Sequence, residues 1–166
     1  MIRLDNIHIS IFQIMKKSRT LSFILALTLI LVGINATNYV PTEEAAVKEI
    51  IMDGYVHGAF NELNPEAMAE TFHKDFAIFS ANGEEISRYP ISNWIEGTKR
   101  QKENPDFDPE NNVWEPKFTN VSVTGNAASV ELELHHKGQH VFTDYLSLLK
   151  FESGWKVVAK VYHRHQ

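Results

Sequence analysis

The carboxy-terminal stretch from Thr143 to Tyr162 constrains the fold more than any other part of the chain. Two runs rich in β-branched, aromatic and aliphatic residues flank Glu152-Ser153-Gly154, which predicts a β-hairpin with a short glycine-containing turn. Alternation over this length indicates a sheet with one buried, curved face. In the second run it places Trp155, Val157, Ala159 and Val161 on one face, and Lys156, Val158, Lys160 and Tyr162 on the other.

A basic and then apolar segment precedes the rest of the chain. Lys16, Lys17 and Arg19 are followed by an apolar run from Leu21 to Val32 and by small residues up to Ala36, which is the layout of a secretory signal peptide. The run is shorter than the roughly 20 residues that a membrane-spanning helix needs, although an uncleaved signal anchor is the alternative. We expect residues 1–36 to be a signal peptide region with its true start at Met15 and cleavage near Ala36. Residues 37–166 then form one periplasmic or secreted domain.

Loss of residues 1–36 makes the remaining domain more acidic. The segment carries four basic residues and one acidic residue, so the formal charge changes from −5 to −8. An acidic domain argues against nucleic acid and anionic membranes as partners, and we expect no stable membrane insertion after processing. The chain has no cysteine, which excludes disulfides, thiol nucleophiles and a lipid-modified cysteine.

The order of the predicted elements indicates the fold class. Helical patterns come first, and a meander of long strands follows. This order predicts an α+β cone, in which three helices pack on a strongly bent antiparallel sheet and leave a pocket at the open end. The predicted helices begin at Thr42, at Asn64-Pro65 and near Pro90 to Asn93, and the predicted strands cover about 76–80, 84–88, 113–123, 127–136, 141–151 and 155–163.

Several phrases distributed over residues 37–166 resemble the NTF2-like superfamily, in particular its bacterial secreted "putative lumazine-binding" group. The resemblance implies a cystatin-like α+β cone but no particular activity, because this fold hosts isomerases, dehydratases, cyclases and binding proteins. The phrases are Ala46-Val47 through Tyr55, Asn64-Pro65-Glu66, Phe72-His73-Lys74-Asp75, Asn120-Val121-Ser122-Val123, Ala128-Ser129-Val130, Asp144-Tyr145-Leu146-Ser147-Leu148 and Gly154-Trp155-Lys156-Val157-Val158.

Two kinds of enzyme of this fold suggest candidate catalytic residues. Ketosteroid isomerase resembles the chain at Tyr55, which falls where its oxyanion-stabilising tyrosine lies, but Ser80 occupies the position of its aspartate base. Serine cannot abstract a carbon-bound proton without a base of its own. Dehydratase-type chemistry would use His73 or His163, the latter expected on the inward face of the last strand, with Asp144 or Tyr145 as companion.

Two patterns suggest metal binding, and neither is complete. His135, His136 and His140 surround a predicted hairpin turn, but neighbouring strand residues point to opposite faces and cannot readily share a tetrahedral site. The acidic loop that starts at Asp106 alternates like a calcium loop, but it has asparagine and lysine where that loop needs glycine and glutamate. We therefore expect no metal and no cofactor.

The resulting prediction is noncovalent binding of a small, partly apolar ligand in the cone. Aromatic walls with few polar groups are typical of such sites. The alternatives are a cofactor-free lyase or isomerase that uses Tyr55, His73 or His163, and a dimeric structural module. The candidate lining residues are Tyr55, Phe72, Phe79, Trp94, Tyr145, Trp155 and His163.

Homodimerisation through the outer face of the sheet is a further expectation. Apolar residues occur on both faces of the last hairpin, and an exposed apolar patch is a liability unless something covers it. The residues assigned to that outer face are Leu146, Leu148, Val158 and Tyr162.

Overall fold

The computed structural model describes residues 41–166. The expected signal peptide, its start at Met15 and its cleavage near Ala36 lie outside the described residues. Within 41–166, no helix has the length and apolar character needed to cross a bilayer.

Three helical segments lie before the long strands. Helix α1 begins as an α-helix over Glu43–Ile50, where Thr42 caps its first turn, and continues directly as a π-helix over Ile51–Asn61. Helix α2 spans Pro65–Thr71, and helix α3 spans Ile91–Lys102. The π-helical part of α1 is unusually long, because such segments are mostly single turns. π-Helical turns often occur at functional sites.

Helices α1 and α2 approach each other closely at Gly54. A Cβ atom at this position would lie 1.8 Å from Oγ1 of Thr71, so the contact requires a residue without a side chain. The Asn64 side chain accepts a hydrogen bond from the amide of Ala67 at 3.1 Å and fixes the start of α2. The two helices therefore form one rigid cover for the sheet.

The sheet has six strands in the order β2-β1-β6-β5-β4-β3. Neighbours are antiparallel except β1 and β6, which are parallel. The prediction of a wholly antiparallel sheet is therefore corrected to a mixed sheet: hairpins force antiparallel pairing only between consecutive strands, and β1 and β6 are far apart in the chain. The strands are β1 Phe72–Asn82, β2 Glu85–Pro90, β3 Trp114–Thr124, β4 Ala127–His136, β5 Gln139–Phe151 and β6 Gly154–Arg164.

The inner face of the sheet packs on the helices and forms the core. Leu146 and Leu148 belong to it, with exposed fractions of 1%, so the assignment of these two residues to an outer dimer surface is wrong. The expected homodimer stays a prediction, and the exposed apolar residues available for it on the outer face include Tyr145, Leu149, Phe151 and Val161. The core also includes Val47, Ile51, Tyr55, Met68, Phe76, Val130, Leu132, Leu134 and Val157.

A β-bulge interrupts the alternation of the last strand. Ser147 pairs with Ala159, whereas the next residue, Leu148, pairs with Val157, so Val158 has no partner on β5. An extra residue of this kind bends the strand and reverses which residues face inward. The bulge therefore determines which residues of β6 face the interior of the cone.

On the carboxy-terminal side of the bulge, the predicted faces of β6 are exchanged. Trp155 is buried before the bulge, as expected, but Lys160 is the buried residue after it. Lys160 pairs with the core residue Leu146, and Tyr162 pairs with Asp144, which is fully buried. The prediction that Lys160 and Tyr162 lie on the outer face is therefore wrong.

Candidate functional site

Helix α1 places one tyrosine at the centre of an aromatic cluster. Tyr55 lies in the π-helical part of α1 and has no exposed surface. The rings of Phe60, Trp94 and Phe72 meet its ring edge-on, with centroid distances of 5.3, 6.0 and 6.2 Å. Edge-to-face packing of this kind fixes the ring and directs the hydroxyl towards the sheet.

Two charged residues on neighbouring strands meet that hydroxyl. Nζ of Lys160 on β6 lies 2.8 Å from Oδ1 of Asp144 on β5, and the side chains are 5% and 0% exposed. The Tyr55 hydroxyl donates a hydrogen bond to Oδ2 of Asp144 and accepts one from Lys160 Nζ at 2.5 Å. The three side chains form a closed polar group inside an apolar core, which we call the buried triad.

The contact between Lys160 and Asp144 is an ion pair rather than a directed hydrogen bond. Among the described residues, no donor reaches Oδ1 of Asp144 with hydrogen-bond geometry, although the ammonium is in contact with it. The carboxylate is thus held by one ammonium and one hydroxyl. A buried carboxylate with so few donors depends strongly on its cation.

Burial shifts the proton affinities of the triad. Desolvation lowers the pKa of the Lys160 amine, and the charge of Asp144 and its contact with the amine oppose this effect. Desolvation raises the pKa of the Tyr55 hydroxyl well above its usual value of 10, and the negative charge of Asp144 raises it further. Tyr55 therefore stays protonated and acts as a donor.

Lys160 lines a cavity of about 290 Å³ between the sheet and helices α1 and α3. Aromatic rings surround the cation: the centroid of Tyr55 is 4.9 Å from Nζ, that of Tyr162 is 5.1 Å away, and those of Phe60 and Phe142 are 5.8 Å away. Each such ring favours a cation over its face. The residues lining this cone cavity are Phe60, Ile78, Ser80, Ser87, Tyr89, Trp94, Phe142, Lys160 and Tyr162.

The walls of the cone cavity differ in exposure from its floor. Tyr89 and Tyr162 are 41% and 43% exposed and lie at the entrance, whereas Lys160 is almost completely buried. A ligand would therefore insert its apolar part between aromatic rings and direct a hydrogen-bond acceptor to the Lys160 ammonium. Apolar walls with few polar groups are the usual composition of a small-molecule pocket.

The comparisons with known proteins agree with this architecture. The family described as "Putative lumazine-binding" matches residues 42–163. The chain belongs to this family. Solved structures described as NTF2-like proteins share this fold and confirm the predicted α+β cone. No protein of curated function matches the chain in sequence.

Solved structures with the same fold come from several bacteria. An NTF2-like protein of unknown function from Shewanella baltica OS155 is 24% identical, with 73% of this chain and 92% of that chain covered and a TM-score of 0.58. One from Silicibacter pomeroyi DSS-3 is 21% identical, with 73% and 94% covered and a TM-score of 0.57. A Nostoc punctiforme PCC 73102 domain with a cystatin-like fold is 14% identical, with 75% and 78% covered and a TM-score of 0.53. At these identities the similarity shows the fold alone.

Some predicted lining residues lie at or beside the cone cavity. Trp94 forms part of its wall, and Tyr55 lies directly behind Lys160. Phe72 is buried against the Tyr55 and Trp94 rings and belongs to the core. Ser80, the residue at the position of the isomerase base, also lines the cavity.

Other predicted site residues lie elsewhere. Phe79 and Tyr145 lie on the outer face, because each alternates with inward-facing neighbours on its strand. Trp155 is buried beside the start of α1, where its indole N–H donates to Glu43 at 2.8 Å. The cone cavity is not lined by Phe79, Tyr145 or Trp155, and the prediction of these three as lining residues is corrected.

Both predicted catalytic histidines also lie outside the cavity. His73 stacks on Phe151, with ring centroids 4.9 Å apart, and lies 3.6 Å from the Asp75 carboxylate. His163 pairs with Thr143 on the outer face, which corrects its predicted inward position. The bulge at Val158 causes this exchange, because it shifts the alternation of every later residue in β6.

The sequence pattern does not identify Lys160 as a residue of the cavity. It indicates Asp144 only as the companion of a histidine and places Lys160 on the outer face. A lysine and an aspartate in the middle of apolar strands are a weak indication of a buried pair. Without the position of the bulge, that pattern does not identify the inner face.

A second group of ligand-type side chains lies on the outer face of the sheet. The metal-ligating atoms of Glu133, His135 and His140 all lie within 4.8 Å of one another. Their side chains are partly buried. This group is separate from the cone cavity, since Leu132 and Leu134, which alternate with Glu133 and His135, face the core.

Proposed function

We propose that residues 37–166 form an exported domain that binds a small, partly apolar ligand noncovalently in the cone cavity. The observation that carries this proposal is the position of the buried Lys160 ammonium, which lies 5.8, 5.8 and 5.1 Å from the ring centroids of Trp94, Phe142 and Tyr162, three residues that line the cavity. Burial of a cation costs desolvation free energy unless a well-placed anionic partner offsets it. Here the Asp144 carboxylate holds the ammonium in place, and its remaining donor capacity is available to a ligand.

The shape and chemistry of the cavity define the class of ligand. Its volume of about 290 Å³ is at the lower limit of the roughly 300–1,000 Å³ usual for small-molecule pockets, which favours one or two fused rings over a steroid or a dinucleotide. Flat rings stack on the Trp94 and Phe142 side chains, and a carbonyl or similar acceptor meets Lys160. The family description supports this choice, because lumazine is a flat heterocycle with carbonyl oxygens.

A cofactor-free isomerase or lyase has less support from the geometry. Tyr55, the candidate oxyanion donor, is not part of the cavity wall and already donates to Asp144. Ser80 supplies only a hydroxyl at the position of the base, and His73 and His163 face away from the cavity. Turnover of an enone or hydroxy-ketone panel that is lost in His73→Gln or His163→Gln would favour catalysis over binding.

Export is part of the same proposal. The basic residues from Lys16 to Arg19 and the apolar run after them support a cleaved leader. Expression of the full chain in a bacterial host, followed by intact-mass analysis of the periplasmic protein, tests this. A mass that begins near Thr37 is expected, and one that begins at Met1 or Met15 contradicts export with cleavage.

The binding proposal is tested with lumazine as the probe. Titration is followed by tryptophan fluorescence, and Trp94→Phe identifies the share of the signal that comes from the cavity wall. Lys160→Met should weaken binding about 10- to 100-fold, because a hydrogen bond to a charged group contributes roughly 1.5–3 kcal/mol. The matched control is Lys74→Met, which removes an exposed lysine on β1 and should change affinity less than about twofold.

Loss of fold in Lys160→Met must be separated from loss of binding. The double variant Asp144→Asn/Lys160→Met removes both buried charges and keeps the core neutral, so it serves as the folded reference. Reduced affinity in both variants supports the proposal. Saturable binding that is equally tight in the folded double variant, or no saturable binding of lumazine below 1 mM, contradicts it.

A further inference from the structure

A cluster of imidazole and carboxylate groups lies on the outer face of the sheet, opposite the cone cavity. Its first three members are Glu133 and His135 on β4 and His140 on β5. Their ligating atoms lie within 4.8 Å of one another, and all three side chains are partly buried. Three metal-ligating groups thus converge from two neighbouring strands.

The hairpin between β4 and β5 creates this convergence. His135 pairs directly with His140, after a register shift that follows Leu134. Their rings stack with centroids 4.9 Å apart, and Nε2 of His135 lies 3.1 Å from Oε2 of Glu133. His136, the next residue, stacks instead on Trp114 and does not join the cluster.

The end of β6 adds a fourth imidazole. The ring of His165 lies 3.9 Å from that of His140, centroid to centroid. Oγ1 of Thr143 lies 3.0 Å from Nε2 of His140 and 2.9 Å from Nε2 of His165, so one hydroxyl already connects the two nitrogen atoms. The two rings are therefore adjacent, and Nε2 of His140 also lies 3.0 Å from the carbonyl oxygen of Phe142.

We propose that Glu133, His135 and His140 bind one Zn²⁺ ion on the outer face of the sheet, with His165 as the fourth ligand. Three imidazoles and a carboxylate form a donor set that zinc accepts in tetrahedral geometry. Zn–N distances of about 2.0–2.1 Å imply ligand atoms roughly 3.4 Å apart. The observed limit of 4.8 Å requires shifts that side-chain rotation on fixed strands can supply.

The interaction that the metal would replace is weak. Nζ of Lys117 lies 3.0 Å from Oε2 of Glu133, but the lysine side chain is 65% exposed. Exposed ion pairs contribute little to stability, so Lys117 can withdraw into solvent when a dication binds. A bound ion would join the β4–β5 hairpin to the end of β6, where the amide of His165 already donates to the carbonyl of Val141 at 2.8 Å.

Zinc titration of the tag-free full chain tests the proposal. The protein is first treated with a chelator, and affinity and stoichiometry are measured by calorimetry and by competition with a chromogenic chelator. We expect one Zn²⁺ per chain. His135→Gln, His140→Gln and Glu133→Gln should each weaken binding at least about tenfold, because each removes a direct ligand. The matched control is His57→Gln, which removes a surface imidazole on α1 and should leave the affinity within about twofold.

Two further measurements make the test specific. Substitution with Co²⁺ should give the intense visible absorption of a tetrahedral site, and His165→Gln should reduce that absorption and the zinc affinity. An unchanged His165→Gln variant would remove this residue from the proposed ligand set. Binding that is equally tight in the His135→Gln/His140→Gln double variant, or a stoichiometry near zero, overturns the proposal. These outcomes do not depend on the cone cavity, so lumazine binding can succeed or fail independently.

Discussion

Removal of either charge from the buried pair should destabilise the fold severely. Lys160 and Asp144 are 5% and 0% exposed, and their charged atoms are 2.8 Å apart. Asp144→Asn leaves the ammonium without its counter-charge, and Lys160→Met leaves the carboxylate with the Tyr55 hydroxyl alone. Breaking a buried ion pair by removing one partner costs roughly 3–5 kcal/mol. Each single variant should lose this amount of unfolding free energy.

The double variant Asp144→Asn/Lys160→Met should lose much less than the sum of the two. It has no unpaired charge, and Tyr55 can still donate to the amide oxygen of the asparagine. The remaining cost is one poorly satisfied buried amide, about 1–3 kcal/mol. If the single effects were independent, the double variant would lose roughly 6–10 kcal/mol. The coupling energy between the two residues should therefore be at least about 3 kcal/mol.

Guanidinium unfolding of the unsubstituted protein, the two single variants and the double variant at neutral pH measures this coupling. The slope of free energy against denaturant should stay constant, so that differences in the midpoint report stability. Glu96 and Arg100 provide the control cycle, because they form an exposed ion pair one helical turn apart on α3. That pair should show a coupling below about 1 kcal/mol. Additive effects at Asp144 and Lys160, or single losses below about 1 kcal/mol, would refute the buried ion pair.

Two further predictions concern the helical cover of the sheet. Gly54→Ala should lower the free energy of unfolding by about 1–3 kcal/mol, because its Cβ would overlap Thr71. Gly58→Ala is the control: its Cβ would have its nearest contact at 3.3 Å, so the loss of unfolding free energy should be smaller. Thermal unfolding compares the two variants. Hydrogen bonds from Lys150 and Trp155 lower the pKa of Glu43 from its usual 4.5. The stability that Glu43 contributes is therefore present above pH 4.5 and is lost as the pH falls through the lowered pKa. Between about pH 6 and about pH 3.5, the melting temperature of Glu43→Gln should fall less than that of the unsubstituted protein.

The sequence predicted most of the secondary structure because its local patterns are consistent. Thr42 caps the first helix, and Asn64 followed by Pro65 starts the second, as expected. The turn between β4 and β5 has positive φ at both Lys137 and Gly138, which suits a two-residue hairpin. Hairpins and caps involve residues close in the chain, and such interactions can be inferred without tertiary information.

Prediction of the site failed where a single residue changed the register. Strict alternation in β6 assigned Lys160 and Tyr162 to the outer face and His163 to the inner one. Val158 has no partner on β5, so all three assignments are reversed. Nothing in the local sequence identifies Val158 as a bulge, because valine is a favourable residue in any part of a strand. The position of the bulge depends on how β5 and β6 curve together around the helices.

The outer cluster depends on register in the same way. The sequence pattern names His135, His136 and His140 around one hairpin turn, and His136 stacks on Trp114 rather than on the other two. Glu133, two residues before His135 on the same face, and His165 at the end of β6 are not part of that pattern. Ligands that different strands bring together cannot be inferred from the residues of one turn.

One bulge therefore connects the two faces of the sheet. If β6 alternated regularly from Trp155 to Arg164, His163 would face the triad and Lys160 would be solvated. The Asp144 carboxylate, fully buried beside Tyr55, would then lack its cation, which costs several kcal/mol. The bulge that brings Lys160 to Asp144 also turns His163 and His165 towards the outer face. The ion pair with the buried Asp144 carboxylate thus favours this register of β6. The same register places His165 beside His140 on the outer face.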